Sequence, residues 1–132
     1  MAYVSRGFIP QTSLASNLGF TRPMYIPAGN ATATALYDIV KVSTSGSTVD
    51  TAGVPAGLMG CVRVSDKDDV PCGVIVGFIA DPDYLNQTYR SASTARVALV
   101  NYDPQVVLEA QEDDNGTTLA VARIGTPVDL VP

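Results

Sequence analysis

Eleven glycines and nine prolines are spread evenly through 132 residues, so turn signals recur too often for a long amphipathic helix. Between them lie runs rich in Val, Ile and Thr, whose branched side chains suit a pleated, half-buried surface. Strands are expected at 35–42, 58–64, 73–80, 95–101, 106–111, 118–124 and 127–131. From Arg96 to Val100 the pattern alternates, with Val97 and Leu99 on one face and Arg96, Ala98 and Val100 on the other. Gly73-Val74-Ile75-Val76-Gly77-Phe78-Ile79 is apolar throughout, as in a strand covered on both faces. Short strands at such regular spacing imply an all-β single domain, a jelly-roll-like sandwich or a barrel.

Two hairpins stand out. One joins 58–64 to 73–80 through the acidic turn Ser65-Asp66-Lys67-Asp68-Asp69, and a symmetric register would bring Cys61 near Cys72. The pair is then either a cross-strand disulfide or two small apolar residues facing each other; a reducing compartment favours the second. The other turn, Glu112-Asp113-Asp114-Asn115-Gly116, carries the Asn-Gly signal of tight hairpins. One or two helical turns are expected at 83–90, with Asp83 as N-cap. Residues 1–22 read differently from 23–132. Phe8, Leu14, Leu18 and Phe20 are apolar without a sustained period, and Gly7, Pro10 and Gly19 interrupt them. This stretch is expected to be a poorly regular N-terminal arm, buried against its own domain or another chain, and 23–132 the β-rich domain.

Composition narrows the chemistry. There is no histidine, which removes Ser-His-Asp and Cys-His catalysis, histidine metal sites and a histidine pH switch. The formal net charge is −5, so the chain lacks the basic face that nucleic acid requires. No apolar run approaches the roughly 18 residues of a membrane helix, and the opening residues have no run of signal-peptide length. Synthesis in a reducing cytosol is the expectation. Two cysteines are too few for a disulfide framework and lack metal-ligand spacing.

Individual motifs lean the same way. Asp50-Thr51-Ala52-Gly53 approaches an aspartic-protease signature, but Ala52 stands where glycine is needed for the turn. The acidic clusters Asp66/Asp68/Asp69 and Glu112/Asp113/Asp114 lack the glycine and distal glutamate of a calcium loop and read as solvated turns. Asn30-Ala31-Thr32, Asn86-Gln87-Thr88 and Asn115-Gly116-Thr117 match a glycosylation acceptor by chance in a Thr-rich chain. The cations are more informative: six of eight are arginine. Arginine binds carboxylates bidentately and is enriched at interfaces, where lysine is depleted. Arg22, Arg90 and Arg96, with Phe8, Leu14, Leu18 and Phe20, are the expected partner contacts; the alternative is that the arginines close pairs inside the domain. No catalytic residue, metal or cofactor is expected, and the chain is not read as an enzyme.

Five segments resemble the small cement, or decoration, proteins of tailed-bacteriophage heads. They are Tyr25-Ile26-Pro27-Ala28-Gly29; Thr34-Ala35-Leu36-Tyr37-Asp38 with Val40-Lys41; Gly73-Val74-Ile75-Val76-Gly77-Phe78; Tyr89-Arg90-Ser91-Ala92-Ser93-Thr94-Ala95-Arg96-Val97; and Asp103-Pro104-Gln105-Val106-Val107-Leu108-Glu109-Ala110-Gln111-Glu112-Asp113. The last is the most characteristic. Similar proteins tend to carry Phe where Leu108 stands and a β-branched residue at Ala110, changes that keep an apolar face. The resemblance spans Tyr25 to Asp113. It implies a jelly-roll-like domain without enzyme activity that binds the outer surface of the mature capsid at junctions between major capsid protein subunits. It also implies self-association as a homodimer or homotrimer, with no nucleic acid or membrane partner. A different virion β-module, such as a head-fibre base or a host-surface or glycan binder, is the alternative, motivated by Tyr84, Tyr89 and Tyr102.

Overall fold

The computed structural model describes residues 7–13, 20–44, 46–47, 54–82, 85–111 and 124–127. Its regular elements are seven strands: β1 (Phe8–Ser13), β2 (Thr21–Ile26), β3 (Ile39–Ser43), β4 (Gly60–Arg63), β5 (Gly73–Phe78), β6 (Arg96–Asn101) and β7 (Val106–Ala110). Alternation along the strands selects the core. Met24 and Ile26 stand two apart on β2, and Ala98 and Val100 two apart on β6; with Val40, Cys61 and Ile75 they form one buried cluster. Cys72 and Phe78 pack against its side.

This cluster fills a closed barrel of order β2-β4-β3-β5-β6. The expected all-β single domain is therefore found, in its barrel form. β6 pairs antiparallel with both β5 and β2, the latter over six residue pairs. Closure comes on the other side of β2, where Tyr25 meets Gly60 of β4 in parallel and the Tyr25 N–H donates to the Met59 carbonyl at 2.8 Å. Closing the sheet gives each of these five strands a neighbour on both sides, with the β2–β4 seam made by one residue pair.

The expected hairpin between 58–64 and 73–80 is corrected: β3 lies between β4 and β5 and pairs antiparallel with each. Two strand spacings are about 10 Å, a distance that the connection between β4 and β5 easily spans. That connection is fastened to the strand it crosses. The Val64 N–H donates to Ile39, the Cys72 N–H to Val40, and the Lys41 ammonium to Asp69 at 2.6 Å.

The N-terminal expectation is also corrected. Residues 8–13 are not irregular but form β1, antiparallel to β7 with an irregularity between Pro10 and Thr12. The proposed boundary at residue 22 falls inside barrel strand β2. Both ends of β1 are held to the barrel side. The Phe8 N–H donates to the Tyr37 carbonyl at 2.9 Å, and the Ser13 hydroxyl donates to the buried Asp103 carboxylate. Gly7 makes the first contact possible: its φ is +69°, and a Cβ there would lie 2.6 Å from the Tyr37 oxygen.

Other boundaries moved for local reasons. β3 starts at Ile39 rather than 35 because Tyr37 adopts φ 68° and Asp38 accepts the Ala35 N–H. No helix forms in the described part of 83–90, since Arg90 instead bridges to Thr34 through both backbone bonds. The expected turn at 112–116 and most of the strands at 118–124 and 127–131 lie outside the described residues.

Gly73 sits where three strands crowd, and a Cβ there would meet the Asn101 carbonyl oxygen at 2.4 Å and the Val100 side chain at 2.7 Å. Gly73→Ala is expected to lower stability by about 2–3 kcal/mol in urea unfolding. Gly29→Ala, where nothing lies within 4 Å of the added Cβ, is the control and is expected to change stability by less than about 0.5 kcal/mol.

Candidate functional site

Residues directly opposite in an antiparallel pair point to the same face. The β2–β6 register sets Arg22 opposite Val100, Met24 opposite Ala98 and Ile26 opposite Arg96. The Tyr102 N–H extends this ladder by donating to the Phe20 carbonyl at 2.9 Å. One inward-facing stripe therefore runs Phe20–Arg22–Met24–Ile26 on β2 and its approach, and Tyr102–Val100–Ala98–Arg96 on β6. Its middle is the core; its two ends emerge beyond the barrel, and an arginine stands at each.

At one end Arg96 is buried. Its guanidinium lies 4.9 Å from the Phe78 ring centroid and donates to the carbonyls of Ile79, Gln87 and Tyr89. It thereby holds the connection between β5 and β6 by its backbone. That connection displays Ile79, Leu85 and Tyr89 to solvent, Leu85 at 77% exposure.

Arg90 lies in the same connection and is fully buried. All five of its N–H donors are used without a carboxylate. Nε donates to the Thr94 carbonyl at 2.7 Å; one terminal nitrogen donates to Thr32 (2.6 Å) and to the Asn30 side chain (3.4 Å); the other donates to Pro27 (2.9 Å) and Asn30 (2.8 Å). Burial pushes its pKa down, the expected cost of removing a cation from water, and carbonyl dipoles take over the role of hydration. The β2–β3 connection is gathered around this group. Asn30-Ala31-Thr32 is part of the arrangement, since the Asn30 side chain also accepts the Thr32 N–H at 2.9 Å.

At the opposite end the arginine is open. Arg22 is exposed, with its guanidinium 5.5 Å from the Tyr102 ring centroid. Phe20, half exposed, lies beside the same ring with centroids 6.4 Å apart. The partner contacts expected from sequence thus separate. Phe20 and Arg22 come together at a surface; Phe8 is half-buried at the start of β1; Leu14 and Leu18 lie outside the described residues. Arg90 and Arg96 are corrected: both turn inward onto carbonyls, so neither presents its guanidinium to a partner. Tyr102 is the addition. It was visible as a tyrosine but not as the ring beneath Arg22, because only the β2–β6 register brings positions eighty residues apart onto one stripe.

The remaining sequence candidates organise the chain locally. Asp69 accepts the Ser65 and Asp66 N–H groups at 3.0 Å and the Lys41 ammonium; Asp66 accepts the Asp68 N–H at 3.1 Å. Among the described residues no three acidic or cysteine side chains gather as a metal site. Cys61 and Cys72 are free thiols; burial, with Cys72 nearby, pushes Cys61 up to about 12 and burial also raises Cys72, so both behave as small apolar groups. Asp50, Asp83 and Tyr84 lie outside the described residues. Compared with models of known families, with characterised proteins and with solved structures, the chain matches none.

Two substitutions check these assignments. Arg90→Met keeps bulk but strips the carbonyls of Pro27, Asn30, Thr32 and Thr94 of their donor; a stability loss of about 3–5 kcal/mol is expected in urea or thermal unfolding. Asp69 is held at about 2, chiefly by Lys41 and then by the Ser65 N–H. A carboxyl depressed in the folded state stabilises above its unfolded value and loses that contribution as pH falls through its folded value. Asp69→Asn is therefore expected to be less stable than the native chain at pH 7, the gap closing between pH 4 and pH 2.

Proposed function

We propose that the chain is a structural virion protein of the cement type, which binds the outer surface of the mature capsid where major capsid protein subunits meet. It stabilises the shell against the pressure of packaged DNA. The observation that carries this reading is the pairing of exposed apolar side chains with connections held rigid from beneath. Single exposed apolar residues are ordinary. Here Ile79, Leu85 and Tyr89 share one connection, and a buried arginine holds it at the carbonyls of Ile79, Gln87 and Tyr89, so less conformational freedom is lost at those points on docking. The resemblance to cement proteins adds support, since its segments include β5, the first two residues of β6, all of β7 and the residues around Arg90.

A protein of this kind needs no reacting group. It acts by binding the expanded lattice better than any other state, and each bound copy stabilises that state in proportion to its differential affinity. Self-association as a homodimer or homotrimer would multiply weak contacts on a repeating surface. The arginine-caged loops suit such a task, because a clamp must hold its shape under load.

Co-sedimentation with expanded capsids lacking the protein, alongside unexpanded shells, tests the proposal. Saturable binding to expanded shells alone is expected, and Leu85→Asp is expected to weaken it at least about tenfold while leaving the fold intact, since that side chain is mostly solvated. Binding to neither shell would overturn the reading and shift attention to host surfaces or glycans, for which the exposed Tyr89 and Tyr102 are the available platforms.

A further inference from the structure

The open end of the core stripe differs from every other charged place among the described residues. Lys41 pairs with Asp69, Arg63 with Asp38 and Lys67 with Asp68. Arg90 and Arg96 are committed to backbone carbonyls. Arg22 alone among the described cations has neither a carboxylate nor a carbonyl cage; its contact is the face of Tyr102. The neighbouring acid Asp103 is buried and engaged by the Ser13 hydroxyl and the Gln105 N–H.

We infer that this end of the barrel is a carboxylate-receiving site, in which Arg22, held over the Tyr102 ring at 5.5 Å and bordered by Phe20, takes an Asp or Glu side chain from the surface of the protein that the chain docks on. A guanidinium lying over a ring has its edge N–H donors free, and that edge is the fork that matches a carboxylate bidentately. The geometry is set before binding. The strand register sets the Arg22 backbone opposite Val100, and the Tyr102–Phe20 backbone bond places the two rings side by side on the same face. Phe20 and Tyr102, each about half exposed, give the site an apolar border that would exclude water and strengthen the ion pair on contact. The chain carries a net charge of −5, so an unpaired arginine here is not one member of a basic surface, and a polyanion such as nucleic acid is repelled by the rest of the molecule.

This inference rests on the docking role proposed above, and two experiments keep the two apart. In co-sedimentation with expanded shells, Arg22→Ala and Tyr102→Ala are each expected to weaken binding by about tenfold or more, with Arg22→Lys recovering only part because it lacks the planar fork. Unchanged thermal midpoints would show that the fold is intact. Native binding together with native-like binding by Arg22→Ala overturns the inference but leaves the docking role standing. The second experiment needs no shell. The capped peptide Ac-Leu-Glu-Leu-amide, titrated to millimolar concentration, is expected to shift the NMR signal of the Arg22 Nε–H, and its Gln counterpart is not. A shift with the Glu peptide supports the site even if shells fail to bind; no shift, or equal shifts from both peptides, overturns it.

Discussion

A fully buried guanidinium without a counter-ion organises this molecule. Arg90 is held by carbonyls of the β2–β3 connection and of its own segment, and its backbone bridges to Thr34. Burying a charge is costly unless every donor finds an acceptor. That condition makes the arrangement cooperative: Pro27, Asn30, Thr32 and Thr94 must all be in place for Arg90 to be buried, and Arg90 must be buried for them to converge. Two connections that would otherwise be independent loops thereby become one body at the end of the barrel. Arg96 repeats the device on the carbonyls of Ile79, Gln87 and Tyr89.

The barrel supplies the frame for both. Its five strands close with little pairing to spare, since β2 meets β4 at a single residue pair and β3 meets β5 at two. The long β2–β6 ladder, the β5–β6 ladder and the strapping of the 64–72 connection across β3 compensate. β1 and β7 form a separate two-stranded ribbon, a unit that is marginal by itself in water. Its attachment at Gly7–Tyr37 and Ser13–Asp103 joins it to the barrel. The result is a support from which apolar side chains and one arginine held over an aromatic ring are displayed.

Much of the β character was legible in the residues. Five of the expected strands overlap β3 to β7, because Val- and Ile-rich runs between turn residues have few other uses. The alternation along β6 set Ala98 and Val100 on one face, and the fold makes that face part of the core. Pairing was not legible: residues 58–64 and 73–80 look like a hairpin, and nothing local reveals that β3 passes between them. β1 and β2 were missed because Pro10 and Pro23 interrupt strand-like patterns, and because their partners, β7 and β6, lie far along the chain. At the site, Arg22 and Phe20 were visible as residue types suited to an interface, whereas Arg90 and Arg96 had the same sequence character and the opposite fate.

By itself the sequence determined the class of the fold, the absence of histidine-based chemistry and the shortage of charge, because these follow from residue type and local spacing. Tertiary structure decided which arginine faces outward. An arginine's chemistry is identical in solvent and in a carbonyl cage; the difference is how many backbone acceptors the fold brings within reach. Five bonds converge on Arg90 and three on Arg96, while Arg22, at the far end of the same stripe as Arg96, meets only an aromatic face. That outcome depends on strand register, a property of chain segments far apart in sequence, which no local pattern encodes.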